Sequence, residues 1–379
     1  MEFRDLKKQY QLHKEEIDAA IGTVCEEANF ISGMQVKEVE KKLAEYVGVK
    51  ECISCGNGTD ALQLALMAWN IGKGDAVFVP DFTFFSSGEV VPLLGATPIF
   101  VDVDEETYNI SASSLEHAIE QVLHFTDLKP KAVVAVDLFG QPAEFGKIKE
   151  LTQKHHLLLL EDGAQGFGGM IGEKRNCSFG DISTTSFFPA KPMGCYGDGG
   201  AIFTDNEEWA GLLRSLCVHG KGTDKYDNVR IGMNSRLDTL QASVLLQKLL
   251  FFEEEMEACQ CVADAYTHRL AEYVKTPKVL EGMRSGWAQY TIRLSSLKQR
   301  EEVMKALREK GIPTAIYYKK PMHMQQAFQG MIPCNLQLTY ANTEKICNTC
   351  LSLPMHAYLE EKEIDAACNA IKRTIREEN

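Results

Sequence analysis

The sequence predicts an α/β chain, a mainly parallel sheet followed by a smaller α+β unit. Three observations carry that expectation. Short apolar runs bounded by turn residues recur at 76–80, 97–103, 131–138 and 182–187, and another ends at Glu161 and Asp162; strands buried on both faces read this way. Helical patterns lie between them, which points to βαβ crossovers and hence a mainly parallel sheet. From about residue 274 onward the pattern changes to short strand-like pieces alternating with helices. A division into a large unit over 1–250, N-terminal arm included, and a small one over 251–379 follows.

Taken in order, residues 1–24 read as a polar amphipathic arm and helix, 30–33 as a turn and 36–47 as a helix. CISCGNGTDALQLALMAW then gives a short strand, a glycine turn and a helix carrying Leu62, Leu64, Ala65, Leu66 and Trp69. A helix opened by Gly58 and Thr59 presents free N–H groups and a partial positive charge, suited to a phosphate. Two other readings stand beside that one. Gly56-x-Gly58-x-x-Ala61, with Asp81 further on, fits a dinucleotide fingerprint and hence an NAD-dependent oxidoreductase, and a plain tight turn before a core helix fits as well. Phe82, Phe84 and Phe85 read as core aromatics, of which one could face a flat heterocycle.

After the strand at 201–204 comes a helix at 206–216, then a polar, glycine-bearing stretch at 219–228 that reads as a mobile loop. A long helix from about 237 to 263 has a glutamate-rich solvated face. Strand-like pieces at 288–294 and 314–318 and helices at 298–310 and 360–376 complete the chain.

A net charge of −13 argues against a nucleic-acid surface, which would carry a basic stripe. No run reaches the length of a membrane span, and the charged start MEFRDLKKQYQLHKEE lacks an apolar signal core, so the cytoplasm is the expected location. Among twelve cysteines, Cys52/Cys55 and Cys347/Cys350 form C-x-x-C pairs that two-pair zinc sites use. The first pair sits in a strand and the second on a seemingly helical segment, so buried reduced thiols are the preferred reading.

The chemistry centres on TTSFFPAKPMGCYGDGGA, residues 184–201. Lys191 stands between Pro189 and a turn in which Gly194, Gly197, Gly199 and Gly200 permit φ > 0 and close approach to a ligand. Lysine is the side-chain amine that forms Schiff bases, and desolvation frees its lone pair. Asp162, delivered at the carboxyl end of a buried strand, supplies the acid that a pyridinium nitrogen needs. The two together suit pyridoxal 5′-phosphate.

SFFPAKPMGCYGDGG, with EDGAQ at 161, SCGNGTDALQLAL at 54 and NSRLDTLQA at 234, resembles the DegT/DnrJ/EryC1/StrS family of PLP-dependent nucleotide-sugar aminotransferases, from FRDLKKQY to LSLPMHAYL. The resemblance implies PLP fold type I, aspartate aminotransferase-like, and a homodimer with shared active sites. It implies Lys191 as the cofactor lysine and proton shuttle, and Asp162 as partner of the ring nitrogen. Gly58, Thr59 and Ser186 would contact the phosphate, Phe84 and Gln165 the ring, and Asn234 the phosphate of the partner's cofactor. Arg230, Arg236, Tyr318 and His323 are candidate substrate contacts, since a guanidinium offers a bidentate fork to carboxylate or diphosphate. Read without the resemblance, Ser186 could satisfy a strand end, Gln165 or Asn234 cap a helix, and Arg230 lie on the surface.

The segments most resemble the branch that aminates C3 of a UDP-linked keto-uronate, which implies L-glutamate as donor. Gly163, Asp137 and Tyr317-Tyr318-Lys319 depart from the family pattern and bear on the sugar. An aminotransferase for another UDP- or dTDP-keto-deoxysugar, at C3 or C4, is the alternative.

Overall fold

The computed structural model describes residues 1–224 and 226–378. Helices α1 (Leu6–Leu12), α2 (Lys14–Glu27) and α3 (Met34–Val47) precede strand β1 (Glu51–Cys55) and helix α4 (Gly58–Ala68). Strand and helix then alternate through β2 (Asp75–Pro80), α5 (Ser86–Leu93), β3 (Thr97–Val101), α6 (Ala112–Phe125), β4 (Lys129–Val136), α7 (Phe145–Lys154) and β5 (Leu158–Asp162). A short ribbon of β6 (Met170–Ile171) and β7 (Lys174–Arg175) leads to β8 (Ile182–Ser186) and β9 (Gly200–Thr204), and these to α8 (Glu207–Leu216) and α9 (Thr239–Leu270).

The seven-stranded sheet has the order β1-β9-β8-β5-β4-β2-β3. Neighbours from β3 to β8 are parallel, while β9 runs antiparallel to both β8 and β1, so β9 alone is reversed. The pleat explains the apolar runs. Val77 and Val79 of β2 and Val134 and Val136 of β4 enter one core cluster, while Phe78, Val133 and Ala135 enter another on the opposite face. Helices cover both faces, so each strand must be apolar on both.

Beyond α9, β10 (Met283–Arg284) joins β6, and β11 (Tyr290–Arg293) pairs antiparallel with β12 (Cys350–Leu353) among α10 (Leu297–Glu309), α11 (Ala341–Thr349) and α12 (Glu361–Glu378). Tyr266 and Tyr290 lie at the centre of this second core with ring centroids 5.0 Å apart, and truncating either to alanine would cost about 3–5 kcal/mol. Helix α9 runs unbroken across 250/251. Ala242, Leu245 and Phe252 pack into the core around β1 and β9, and Val262, Tyr266 and Leu270 into the second core.

Two local expectations are corrected. Residues 314–318 form no strand, and only a bridge from Ala315 to Ser352 remains. The segment at Cys347 is helical only to Thr349, and Cys350 opens β12. The pleat of β1 sends Cys52 and Cys55 into different core clusters, so a single zinc ion cannot take both. Stretch 219–228 includes Lys225, which lies outside the described residues; around it Lys221 bridges Asn228 and Val218 bridges Asn234. Among the described residues no helix is long and apolar enough to cross a membrane.

Candidate active site

Parallel pairing in register brings the carboxyl ends of β4, β5 and β8 to one edge of the sheet, with Val136 opposite Asp162 and Asp162 opposite Thr184. Two residues further, Ser186 pairs with Gly200, and Gly200 pairs with Cys55. That row of three strands sets the start of α4 against the end of β8. A Cβ on Gly58 would lie 2.7 Å from Ser186 Cβ, and one on Gly200 2.6 Å from the Asn57 carbonyl carbon. Both glycines are therefore required by close approach. So is Gly194, whose added Cβ would meet the Pro189 backbone, whereas at Gly197 and Gly199 it would come closest to the side-chain ends of Gln241 and Leu237. None of these five has a positive φ. The freedom read into the glycine turn is thus a matter of space rather than of left-handed backbone.

Asn57 caps α4, its side chain accepting from Asp60 N at 2.8 Å. The cap leaves the N–H groups of Gly58 and Thr59 at the helix start, where the macrodipole is positive. The Thr59 and Ser86 hydroxyls are 2.8 Å apart. With Ser186 they make a cradle of hydroxyl and amide donors of the kind a phosphate monoester requires.

Asp162 is buried at the end of β5. Its Oδ2 accepts from Ser87 Oγ at 2.7 Å and its Oδ1 from Ala164 N at 3.2 Å. Burial raises its pKa, opposed by the Ser87 hydrogen bond and the Lys191 charge. The Lys191 pKa is lowered by burial, against the attraction of Asp162 and with the repulsion of Arg4. Each group thus feels the other's charge, which brings the two sequence candidates into one neighbourhood.

Gln165 is buried and uses both ends of its amide, accepting from Phe139 N at 2.7 Å and donating to Tyr318 Oη at 3.1 Å. It caps no helix. The Tyr318 ring lies 5.9 Å from that of Phe82 and 6.3 Å from that of Phe84. Phe82 is fully buried, whereas Phe84 is half exposed and presents a free aromatic surface.

The remaining candidates stand apart. Arg230, Asn234 and Arg236 are exposed. Arg230 bonds Ser215, and Asn234 does not cap α9, whose N-cap is Asp238. Their segment reaches the α4 start through Ser235, whose Oγ accepts from Gly56 N at 2.9 Å and donates to Asp60 at 2.6 Å. His323 is held by Asp81 through its Nδ1 at 2.7 Å and its backbone N at 2.8 Å, and it stacks on Tyr340 at 4.1 Å.

Three residues at the site went unread in the sequence. Ser86 and Ser87 directly follow the aromatics after β2, and their position beyond a strand's carboxyl end was the available signal. Arg4 donates to the Lys191 carbonyl at 3.0 Å, and nothing in the local sequence indicates it.

The glycine-lined cradle, the buried acid and the depressed lysine fit pyridoxal 5′-phosphate by donor set and by space. This fold and this group define a pyridoxal-phosphate enzyme. The DegT/DnrJ/EryC1/StrS aminotransferase family matches residues 11–372, and the chain belongs to it. It is 42% identical to a UDP-2-acetamido-2-deoxy-3-oxo-D-glucuronate aminotransferase of Pseudomonas aeruginosa, over 98% of this chain and 99% of that one. The crystal structure of a DegT DnrJ EryC1 StrS aminotransferase from Brucella abortus superposes with a TM-score of 0.96 at 46% identity, covering 99% of both chains. A Bacillus subtilis structure with bound cofactor PMP matches with a TM-score of 0.87 at 29% identity, over 96% of this chain and 82% of that one. The oxidoreductase reading is thereby overturned, and Asp81, the acid it required, is fully buried against His323.

Proposed function

We propose that this chain transfers an amino group from L-glutamate to the C3 keto carbon of a UDP-linked sugar, with pyridoxal 5′-phosphate as the carrier. The observation that carries the reading is the mutual charge perturbation of Lys191 and Asp162 beside the Gly58–Ser186 cradle. The similarity to a UDP-3-oxo-glucuronate aminotransferase supports the substrate class.

When bound, the cofactor supplies an electron-withdrawing ring that takes up the electron pair left on carbon as a proton departs. Asp162, oriented by Ser87, holds a proton on the ring nitrogen. Lys191 would hold the cofactor through its aldehyde, and its freed amine would carry a proton from the donor's α-carbon to the carbon that bore the aldehyde, a task that a lowered pKa favours. The N–H groups of Gly58 and Thr59 and the Ser186 hydroxyl bind the phosphate. Phe84 offers its face to the ring, and Gln165 fixes Tyr318 at the substrate side.

Asn234, Arg230 and Arg236 act in the site of a second copy. They are exposed on a segment that also carries Val229 at 52% and Ile231 at 88% exposure, apolar surface of the sort an interface covers. His323 steadies the turn that follows Tyr318. A cytoplasmic location is supported by twelve cysteines, all free thiols.

The test is the visible spectrum of the protein loaded with pyridoxal phosphate, before and after glutamate, with borohydride and peptide mapping applied to loaded protein that has met no glutamate. A glutamate-dependent spectral change with the tag on Lys191 is expected. An unmodified Lys191 would overturn the reading. A screen of UDP- and dTDP-linked keto-sugars then separates the C3 uronate from other C3 or C4 acceptors.

A further inference from the structure

We infer that Arg4 is a positioning residue of this site: the N-terminal arm straps the Lys191 turn to the C-terminal unit, and the guanidinium sets the place and charge environment of the lysine. The inference rests on Lys191 being the cofactor lysine, as proposed above.

The contacts run in both directions from the arm. Arg4 Nη2 donates to the Lys191 carbonyl at 3.0 Å and lies 3.5 Å from that of Pro192. One residue earlier, the Phe3 carbonyl accepts from Met355 N at 3.1 Å and the Phe3 ring meets Tyr317 edge-on at 6.2 Å. Further along, Gln9 donates to Glu255 at 2.9 Å, and Tyr358 bonds the same carboxylate. The arm is thus fixed to α9 and to the segment after β12 before it reaches the lysine.

The turn is gripped from its far side as well. Lys248 Nζ donates to the Gly194 carbonyl at 2.6 Å, and Gln241 accepts from Tyr196 N at 2.8 Å. Packing alone does not call for a permanent cation on the carbonyl of a lysine whose amine feels its charge, because like charges repel. An amine that must lose its proton gains from such a neighbour, as general chemistry of activated lysines shows. Arginine suits the role because it remains charged at any pH where the enzyme works. The charged groups facing Lys191 are Asp162 from β5 and Arg4 from the arm. Facing Arg4 are the Glu255 carboxylate and the neutral Cys259 thiol from α9 and the neutral Tyr358 hydroxyl, and Arg4 in turn acts on Lys248 and His356.

The full chain loaded with pyridoxal phosphate provides the test, as wild type, Arg4→Gln, Arg4→Met and Arg4→Lys. The readouts are the pH midpoint of the visible cofactor band and the thermal midpoint. Removing the charge should raise the pH midpoint by about half a unit to one unit in both neutral variants. Arg4→Lys should stay close to wild type. A merely structural arginine would change the thermal midpoint and leave the pH midpoint where it was. An unshifted pH midpoint in whichever neutral variant folds, with the cofactor still trapped at Lys191, overturns the inference. Failure to trap wild-type Lys191 would instead remove the functional reading beneath it.

Discussion

Ser87 donates its hydroxyl to Oδ2 of Asp162 at 2.7 Å, and the Thr83 hydroxyl stands 3.0 Å behind Ser87. Because Ser87 gives its one proton to the carboxylate, Thr83 must donate to Ser87. The chain Thr83–Ser87–Asp162 therefore aims the acid at the site. Replacing Ser87 by alanine removes a hydrogen bond to a charged group, about 1.5–3 kcal/mol. We expect kcat to fall by about ten- to a hundredfold while the fold persists, measured by steady-state kinetics beside far-UV circular dichroism. Ser87→Thr should recover part of the loss.

Gly58→Ala should be both unstable and weak for the cofactor. The new methyl would sit 2.7 Å from Ser186 Cβ, and overpacking of that degree costs about 1–3 kcal/mol. Adding Ser186→Gly removes the clash and a phosphate donor together. The double variant should regain thermal stability but not cofactor affinity, which calorimetry and a cofactor titration read separately.

His356 gives a pH signature. It is buried, and burial lowers its pKa to about 4. Above its ordinary value of about 6.5 both folded and unfolded chains carry it neutral, and it makes no difference to stability. As pH falls from about 6.5 to 4 the unfolded chain takes up a proton that the folded one refuses, so stability is lost across that window, on the order of 3 kcal/mol in total. Urea unfolding of wild type and His356→Asn at pH 7, 6, 5 and 4 should show the gap between them shifting in favour of the variant on acidification.

The proposal that sites are shared between two copies makes a sharp prediction. Lys191→Ala and Asn234→Ala chains, each inactive alone, would form mixed dimers with one intact site. Unfolding the two together and refolding them should restore up to about one quarter of the wild-type activity. No recovery would place Asn234 and Lys191 in the site of the same chain, and an Asn234→Ala chain active by itself would set Asn234 outside the chemistry.

The sheet could be read from sequence because its strands are covered on both faces and so appear as unbroken apolar runs. Lys191, Asp162, Gly58 and Ser186 could be singled out as candidates because each lies within a short segment whose composition fits the chemistry proposed for it. The supporting contacts join distant positions: Arg4 and Lys191 are 187 residues apart, Gln165 and Tyr318 153, Ser87 and Asp162 75. No local pattern encodes such pairs. Residues 314–318 read as a strand from their β-forming side chains, yet the chain leaves the sheet after Ala315 and carries Tyr318 to Gln165.

Helix α9 offers Gln241 and Lys248 to the lysine turn, and its later turns supply Tyr266 and Leu270 to the C-terminal core. Over the 32 residues of this rod the rise is about 48 Å at 1.5 Å each. The two ends are thus registered to each other as teeth on one shaft. Dissecting the protein at residue 250 would sever that shaft, leaving one fragment whose N-terminal arm has lost Glu255, and another whose core has lost the helical turns that lead into it.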